Sequence, residues 1–473
     1  MGKQSNIDKA VQNLMKWMEQ PGWLKEQTAR FDVHLAPVCD HLNISQEELI
    51  QELEEAGFGG MLFGMVFEDF VCRRLPPNDK NIIDDYLKRR GWRESVPGRR
   101  YLQELRDSVL SLYEVTKVSP GRHCDLRDLV RGGETIRVHE HKGTRNMVKW
   151  DRIAARLLHV NGNYVFSGGM LPFPQEVAQD LLRVLAESRK EFKREHSWAT
   201  GMEARTENLE ENLDELFLQE AAPAFTSIWL MDILERLHGP MPEMVNRDEE
   251  TLVFTETRFP FVAEQLDEIM RRLDAASEWE RDNPDGTAWV WLPEPDASGK
   301  KSIRGLSIET YQGGQRLISG TLALAPGALT LTTNSVERTN RAKEVLAALL
   351  DGLVGPALIK LQTPEQLMTE NQIHRNSDND GEPADSIDPE LAAEVIHNML
   401  DQHYRQCLDE PIPMLGDKSP RQRVKSRKGK EQVIEWLKSL ENNELRRAAT
   451  QGHKPYDSRW MWDELKLDAH RVD

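Results

Sequence analysis

The stretch IAARLLHVNGNYVF, from Ile153 to Phe166, decides most about the middle of this chain. Apolar residues precede Asn161-Gly162, and a second run of β-forming residues follows it. Because Asn-Gly readily takes the positive φ angles of a type I′ turn, the stretch predicts a tight β-hairpin. Upstream, Thr135 to His141 alternates between polar and apolar residues as a half-buried strand does. Several short strands with tight turns predict a small barrel or a curled antiparallel sheet over residues 111–173.

The sequence on either side of this β-rich domain has a helical or a mixed pattern. Residues 1–110 predict a helical N-terminal region, in which Ser45 and Glu48 form a capping box at the start of one helix. Residues 174–245 predict a further helical segment. Residues 246–362 predict an α+β domain whose hairpin is followed by a helix capped by Ser335, a ββα unit.

The last fifth of the chain begins with a polar stretch. Glu370 to Asp385 is polar, with three Asn and three Asp, and predicts a linker over residues 363–386. A helical module is predicted over residues 387–445, and residues 446–473 form a C-terminal extension. The predicted fold class is therefore α+β and multidomain, with a helical N-terminal region, a small antiparallel β-rich domain, an α+β domain and a helical C-terminal module.

Composition excludes several classes of protein. The 473 residues are 39% hydrophobic and 30% charged, which is typical of a soluble globular protein with several domains. No apolar run reaches the ~20 residues that cross a bilayer, and the N-terminus lacks the apolar core of a signal peptide. The four cysteines form no CxxC pair. We expect a cytoplasmic protein with no membrane partner, no cofactor and no metal.

Charge is unevenly distributed along the chain. The formal net charge of −18 argues against general affinity for nucleic acid. Two basic runs nevertheless stand out: Lys88 to Arg106 holds seven basic and two acidic residues, and Lys418 to Lys430 holds seven basic residues and no acidic one. A nucleic-acid-binding regulator that uses either run is therefore an alternative function, which the net charge does not favour.

The stretch LDEPIPMLGDKSPR, from Leu408 to Arg421, predicts a rigid turn between two helices. Its two prolines prevent the first helix from continuing, Gly416 permits the chain to reverse, and Ser419 caps the next helix. A later helix carries its apolar residues on one stripe. The apolar stripe and turn residues suit a docking module, although the same side chains are equally suited to an internal core.

At these residues the chain resembles the C-terminal toxin-binding domain of the Xre/MbcA/ParS antitoxins. The matching features lie between Leu391 and Glu441: the amphipathic helix before Leu408, Pro413, the LGxKSPR motif, and a final helix with Val433, Leu437 and Leu440. Nearly 370 residues occupy the place of the short upstream DNA-binding domain of such antitoxins. The same domain is similar to the tails of larger bacterial proteins of unassigned role. The resemblance implies a protein partner, for which a toxin-like protein is one candidate.

The function that we predict is therefore that of a non-catalytic bacterial protein that docks a protein partner through its C-terminal module. Apolar residues of the turn and last helix would supply packing, and basic residues would meet acidic groups of the partner. The predicted partner-binding residues are Pro413, Met414, Leu415, Gly416, Lys418, Pro420, Arg421, Arg423, Trp436 and Leu437.

The β-rich domain offers an enzymatic alternative. Asp125 and Asp128 lie upstream of Glu140 and Lys142, and an Asp with a Glu-x-Lys is how some nucleases hold a divalent metal. His139 and His141, two residues apart on a predicted strand, would point the same way and could share a cation. No Gly-rich phosphate loop, GxSxG elbow or HExxH motif occurs in the sequence.

Overall fold

The computed structural model describes residues 2–76, 79–199, 207–239, 244–246, 248, 250–282, 286–292, 306–307, 310–312, 316–362, 397, 400–401, 403–451 and 454–471. One unit is made of Met1–Gly239 and Asp388–Asp473, and a second of Pro240–Ile387. The predicted linker lies outside the described residues, and of the helix predicted after it the structure describes residues 397, 400–401 and 403–408. The prediction of a mixed protein, helical at both ends with β-sheets between, is confirmed.

The N-terminal region is helical. Its helices are α1 (Gly2–Met18), α2 (Pro21–Leu42), α3 (Gln46–Glu55), α4 (Gly59–Cys72), α5 (Ile82–Arg90) and α6 (Val96–Arg106). The capping box at the start of α3 is confirmed, since Ser45 Oγ accepts from the Glu48 N–H and the Glu48 carboxylate accepts from the Ser45 N–H. Helix α4 is the most apolar of these and is buried along most of its second half.

A closed five-stranded barrel follows. Its strands are β1 (Leu110–Ser119), β2 (His123–Asp128), β3 (Ile136–His139), β4 (Arg152–Val160) and β5 (Asn163–Phe173). They run in the order β1-β2-β3-β5-β4, with β1 pairing with β4 to close the barrel and β3 parallel to β5. Asn161 and Gly162 have φ angles of 53° and 81°, so the predicted turn between β4 and β5 is confirmed. A five-stranded Greek-key barrel of this connectivity is an OB-type barrel.

Three helices continue the first unit after the barrel: α7 (Gln175–Ala199), α8 (Glu207–Glu220) and α9 (Ala222–His238). Helices α2, α4 and α9 pack together and against the barrel, so one apolar core joins Leu35, Leu62, Leu110 and Trp229. Strand β5 approaches α4 closely: a Cβ on Gly169 would lie 2.9 Å from the Glu68 carboxylate and 3.2 Å from the Gly64 backbone. Gly169 is therefore required by close packing.

The second unit contains a six-stranded sheet. The elements of this unit are β6 (Met244–Val245), β7 (Phe254–Pro260), α10 (Leu266–Ala275), β8 (Trp279–Arg281), β9 (Ala288–Trp291), β10 (Leu306–Ser307), β11 (Thr310–Gln312), β12 (Arg316–Ile318), β13 (Gly320–Ala325), β14 (Ala328–Thr333), α11 (Val336–Leu349) and β15 (Leu358–Gln362). The sheet order is β15-β7-β14-β13-β9-β8. The predicted ββα unit is confirmed: Leu322 pairs with Leu331, Ser335 caps α11, and Leu346 packs on the sheet.

The C-terminal segment belongs to the first unit. Its helices are α12 (Pro420–Arg423), α13 (Arg427–Gln451) and α14 (Arg459–Glu464). They enclose a small apolar core that also includes Trp150 from the barrel domain. Within the described part of the chain, no helix combines the length and apolarity needed to cross a membrane.

Candidate functional site

The proline-bearing turn of the C-terminal segment has the predicted geometry. Pro413–Leu415 makes a single 3-10 turn, and Gly416 follows at a φ of 68°. Ser419 Oγ accepts from the Gln422 N–H, so Ser419 caps α12 as its sequence position predicts. The turn is thus a defined loop between helices, and its side chains have fixed positions.

The structure divides the ten predicted partner-binding residues into three groups. The exposed residues are Pro413, Met414, Gly416 and Lys418. The residues buried within the C-terminal core are Leu415, Pro420, Trp436 and Leu437. The two arginines are half-buried and engaged, Arg421 with Glu464 and Asp409, and Arg423 with Gln432. The buried group therefore packs inside this chain.

Within the stretch from Lys418 to Lys430, every exposed charged residue is basic: Lys418, Lys425, Arg427 and Lys428. Met414, with 38% of its surface exposed, is the large apolar side chain of the turn that precedes them in the chain. We call Met414, Lys418, Lys425, Arg427 and Lys428 the cationic turn.

A buried ion cluster attaches α13 to the barrel. Glu114 on β1 is fully buried, and its carboxylate accepts from Lys438 Nζ at 2.9 Å and from an Arg152 nitrogen at 3.2 Å. Arg127 also donates to it. Glu435, one turn before Lys438, accepts from Arg152 and from Lys438. Helix α13 and the barrel therefore share charges that neither could bury alone.

The ionisation of Glu435 reflects this cluster. Burial alone would raise its pKa, because a buried carboxylate loses solvation. The positive charges of Arg152 and Lys438 outweigh that cost and lower the pKa of Glu435 to about 2. Glu435 is therefore ionised at neutral and mildly acidic pH.

Trp150 is the apolar counterpart of the ion cluster. It adopts a φ of 71°, a conformation that costs a bulky residue about 1–3 kcal/mol. Its indole N–H donates to Glu441 on α13 at 2.8 Å, Lys438 Nζ lies 4.9 Å from its ring centroid, and Trp462 stacks on it. The contacts with the C-terminal segment hold Trp150 in this strained conformation.

A cleft of about 950 Å³ opens between the barrel, the start of α7, the end of α9 and α13. On one wall, Asp151 accepts from Asn442 and from Arg446, both at 2.7 Å. On another wall, Arg236 pairs with Asp232. These amide, guanidinium and carboxylate groups are hydrogen-bond donors and acceptors on the walls of the cleft.

The carboxylates of the nuclease alternative are engaged by protein donors. Asp125 accepts hydrogen bonds from Nε and Nη2 of Arg137, at 2.8 and 2.9 Å, and these hydrogen bonds lower the pKa of Asp125. Asp128 accepts from Ser111, from two backbone N–H groups and from Arg131. Glu140 accepts from the N–H groups of Lys142 and Gly143. Among the described residues, no group of three histidines, cysteines or carboxylates could hold a metal ion.

The two histidines proposed to share a cation contact different groups. The His139 ring lies beside that of His123, with the ring centroids 6.3 Å apart. The Nδ1 atom of His141 lies within hydrogen-bonding distance of the Gly121 carbonyl.

Two adjacent buried carboxyl groups on α4 escaped the sequence analysis. Glu68 accepts from Ser167 and from the Gly169 N–H, both at 2.7 Å. Asp69 lies among four basic side chains, which are Arg30, His34, Arg73 and Arg156. Acidic residues in an apolar helix are a usable signal, since charged residues are rarely buried without partners. Apart from Arg73, which directly follows α4, the partners lie on α2, β4 and β5 and cannot be read from α4.

Glu68 gives the first prediction. Burial raises its pKa to about 7, against the opposing hydrogen bonds from Ser167 and Gly169. The folded state therefore holds a proton that the unfolded state releases between about pH 4.5 and 7, and stability falls as the pH rises through this window. Glutamine does not titrate in this range. We therefore expect the free energy of unfolding of Glu68→Gln, relative to that of wild type, to rise by about 3 kcal/mol from pH 4.5 to pH 8.

Urea denaturation of both proteins across this pH range measures the effect. The Glu94→Gln variant, which changes a different buried carboxyl group, shows whether any loss of a carboxylate gives the same profile. A difference between wild type and Glu68→Gln that stays constant with pH would show that Glu68 is ionised in the folded protein.

These features define the first unit as an OB-type barrel enclosed by helices, with a C-terminal segment bound to it through a buried ion cluster. A family model described as a family of unknown function, DUF7986, matches residues 65–204. The match includes most of α4, the whole barrel and α7, and it excludes the C-terminal segment. A comparison with curated proteins finds no match for this chain.

Proposed function

We propose that this chain is a non-catalytic cytoplasmic binding protein that docks a protein partner through the cationic turn. One observation carries the proposal: a chain of net charge −18 presents four exposed cations, Lys418, Lys425, Arg427 and Lys428, in the stretch that follows the exposed side chain of Met414. Charges at a rim speed encounter, and an apolar anchor supplies affinity. An acidic protein surface with a small apolar pocket fits this combination.

The resemblance of this segment to an antitoxin domain makes a toxin-like protein the first partner to test. On this proposal, the buried residues Leu415, Trp436 and Leu437 maintain the shape of the segment, and the exposed residues make the contact. Core substitutions such as Leu415→Asp would unfold the segment and are poor tests of docking. Substitutions of exposed lysines change the charge of the surface and leave the core intact.

We favour docking over a metal-dependent nuclease because of the carboxylates of the β-rich domain. Asp125, Asp128 and Glu140 each already accept hydrogen bonds from protein groups, and a metal would have to displace those donors. Docking of a partner on the cationic turn would require no such displacement of protein donors.

The test is co-purification of full-length protein from its native host. A turn triple variant, K418E with K425E and K428E, reverses three exposed charges. A barrel triple variant, K117E with R122E and K142E, makes the same change in net charge at other exposed positions. We expect wild type and the barrel triple to retain the same acidic protein, and the turn triple to retain at least about tenfold less of it.

Equal recovery of that protein with the turn triple would contradict the proposal, as would the absence of any acidic partner with wild type at low salt. Both triples should unfold at the same temperature as wild type, since the substituted side chains are exposed and make few contacts.

A further inference from the structure

One outer face of the barrel is cationic. On β1, β2 and β3, the side chains that alternate with the core residues Cys124, Leu126 and Val138 point outward. Lys117 on β1 pairs with Asp125 on β2, and Asp125 pairs with Arg137 on β3. Two residues before Asp125 on β2, His123 pairs with His139 on β3. We call the set of Lys117, Arg122, His123, Arg137, His139 and Lys142 the barrel face.

Two loops extend this face beyond the strands. The Gly121 N–H donates to Thr144 Oγ1 at 2.9 Å, and the Glu140 N–H donates to the Arg122 carbonyl. The β1–β2 turn is therefore joined to the loop after β3, and these contacts bring Arg122 and Lys142 to the same end of the barrel. Both side chains are exposed.

The acidic groups on this face are already neutralised or hydrogen-bonded. Asp125 holds the Arg137 guanidinium through two hydrogen bonds, and Glu140 accepts two backbone N–H groups. Within the described part of the chain, Lys117, Arg122 and Lys142 form no ion pair. The positive charge of this face is therefore directed to solvent, in a chain whose total charge is strongly negative.

Ring side chains lie among these cations. The rings of His123 and His139 have centroids 6.3 Å apart on neighbouring strands. Single-stranded nucleic acid is bound by such a combination, because cations follow its backbone and exposed rings stack on its bases. An acidic peptide would use the charges but would have no bases to stack on the rings.

We infer that the barrel face binds single-stranded nucleic acid. Lys117, Arg122 and Lys142 contact phosphates, and His123 and His139 stack on bases. This site is separate from the cationic turn and does not depend on the docking proposed above. Helix α13 covers β1 at Glu114 and leaves the barrel face, which begins at Lys117, accessible to a strand.

The experiment measures fluorescence anisotropy of labelled oligothymidylate and oligouridylate of about 15 nucleotides with the full-length protein. With three phosphate contacts, affinity should fall about 20-fold between ~50 and ~200 mM salt. The barrel triple, K117E with R122E and K142E, should bind at least about tenfold more weakly than wild type, whereas the turn triple should bind as wild type does. The two oligonucleotides show whether DNA or RNA is preferred, and either preference supports the inference.

Two further arms test the role of the bases. An oligonucleotide of the same length made of abasic residues has the same charge and should bind at least about fivefold more weakly. Polyglutamate of matched charge should not displace the oligonucleotide at an equal concentration of charge. If reversed charges were to unfold the barrel, the glutamine triple K117Q with R122Q and K142Q would be measured instead.

Several results would overturn the inference. One is that wild type does not bind the oligonucleotide at ~50 mM salt, and another is that the turn triple loses as much affinity as the barrel triple. The others are that the abasic strand binds as tightly as the oligonucleotide, and that polyglutamate displaces the oligonucleotide. Loss of protein docking with the turn triple would leave this inference untouched, so the two proposals fail separately.

Discussion

Replacing Asp69 by asparagine should lower the free energy of unfolding of the first unit by about 3–5 kcal/mol. The side chain of Asp69 is 1% exposed. Its carboxylate pairs with Arg30, with His34 Nε2 at 3.0 Å and with Arg73 Nε at 3.4 Å. Arg156, itself fully buried, lies 3.5 Å away. Asparagine has nearly the same shape but no charge, so the variant leaves several buried cations without a counter-charge.

The pKa of Asp69 also indicates that the surrounding basic side chains stabilise its charged form. Burial alone would raise it, but the hydrogen bond from His34 and the charges of Arg30 and Arg73 hold it well below its usual range. The ionised carboxylate therefore stabilises the fold at neutral pH, and this contribution is lost only as the pH falls below the value for an unfolded aspartate.

Denaturation followed by tryptophan fluorescence measures the effect. The matched control is Asp180→Asn, which removes the charge from an exposed pair with Arg183, where both side chains are more than 60% exposed. The control should change stability by less than about 1 kcal/mol. An Asp69→Asn variant as stable as the control would show that the four basic groups find other partners.

The second large effect concerns Glu114. We expect Glu114→Gln to lower the free energy of unfolding by about 3 kcal/mol, because Lys438 and Arg152 would then share one carboxylate, that of Glu435. Since this cluster joins α13 to the barrel, the C-terminal segment should also open more often. Limited proteolysis and amide hydrogen exchange should show faster cleavage and faster exchange in residues 403–471.

The control for this prediction lies on α13, the helix that carries Lys438. Glu431 is paired with Arg427 at 3.9 Å, and both side chains are largely exposed. Glu431→Gln should therefore leave proteolysis and exchange unchanged. Faster exchange in Glu431→Gln equal to that in Glu114→Gln would mean that the cluster does not hold the segment.

Local features of this fold could be predicted from the sequence. The turn at Asn161-Gly162, the capping box at Ser45 and the cap at Ser335 depend on residues within a few positions of one another. The ββα unit could be predicted for the same reason, since its hairpin and helix are consecutive. Each of these elements has a chemical signal in the residues that form it.

Long-range contacts could not be predicted in this way. Trp150 and Glu441 are 291 positions apart, and Lys438 lies 324 positions from Glu114. Nothing in either short segment specifies the other, because a buried charge requires a partner but does not say which. The same holds for the closure of the barrel by β1 and β4, and for the basic side chains that surround Asp69.

The candidate site shows the same division. The apolar stripe with Trp436 and Leu437 could be recognised from its helical spacing, but spacing does not say whether a stripe faces a partner or an internal core. The structure places these residues inside the C-terminal core, which includes Trp150 from the barrel domain. The basic run from Lys418 to Lys430 could be recognised from the sequence, but the exposure of its side chains and the grouping of cations on the barrel face could not.

The central claim is that the C-terminal segment is fixed to the barrel by the buried ion cluster, which leaves the cationic turn exposed. A double-mutant cycle between Glu114→Gln and Lys438→Met tests it most directly, because methionine is an unbranched side chain without the charge of Lys438. We predict a coupling energy of at least about 1 kcal/mol. Losses of stability that add to within about 0.5 kcal/mol would contradict the claim.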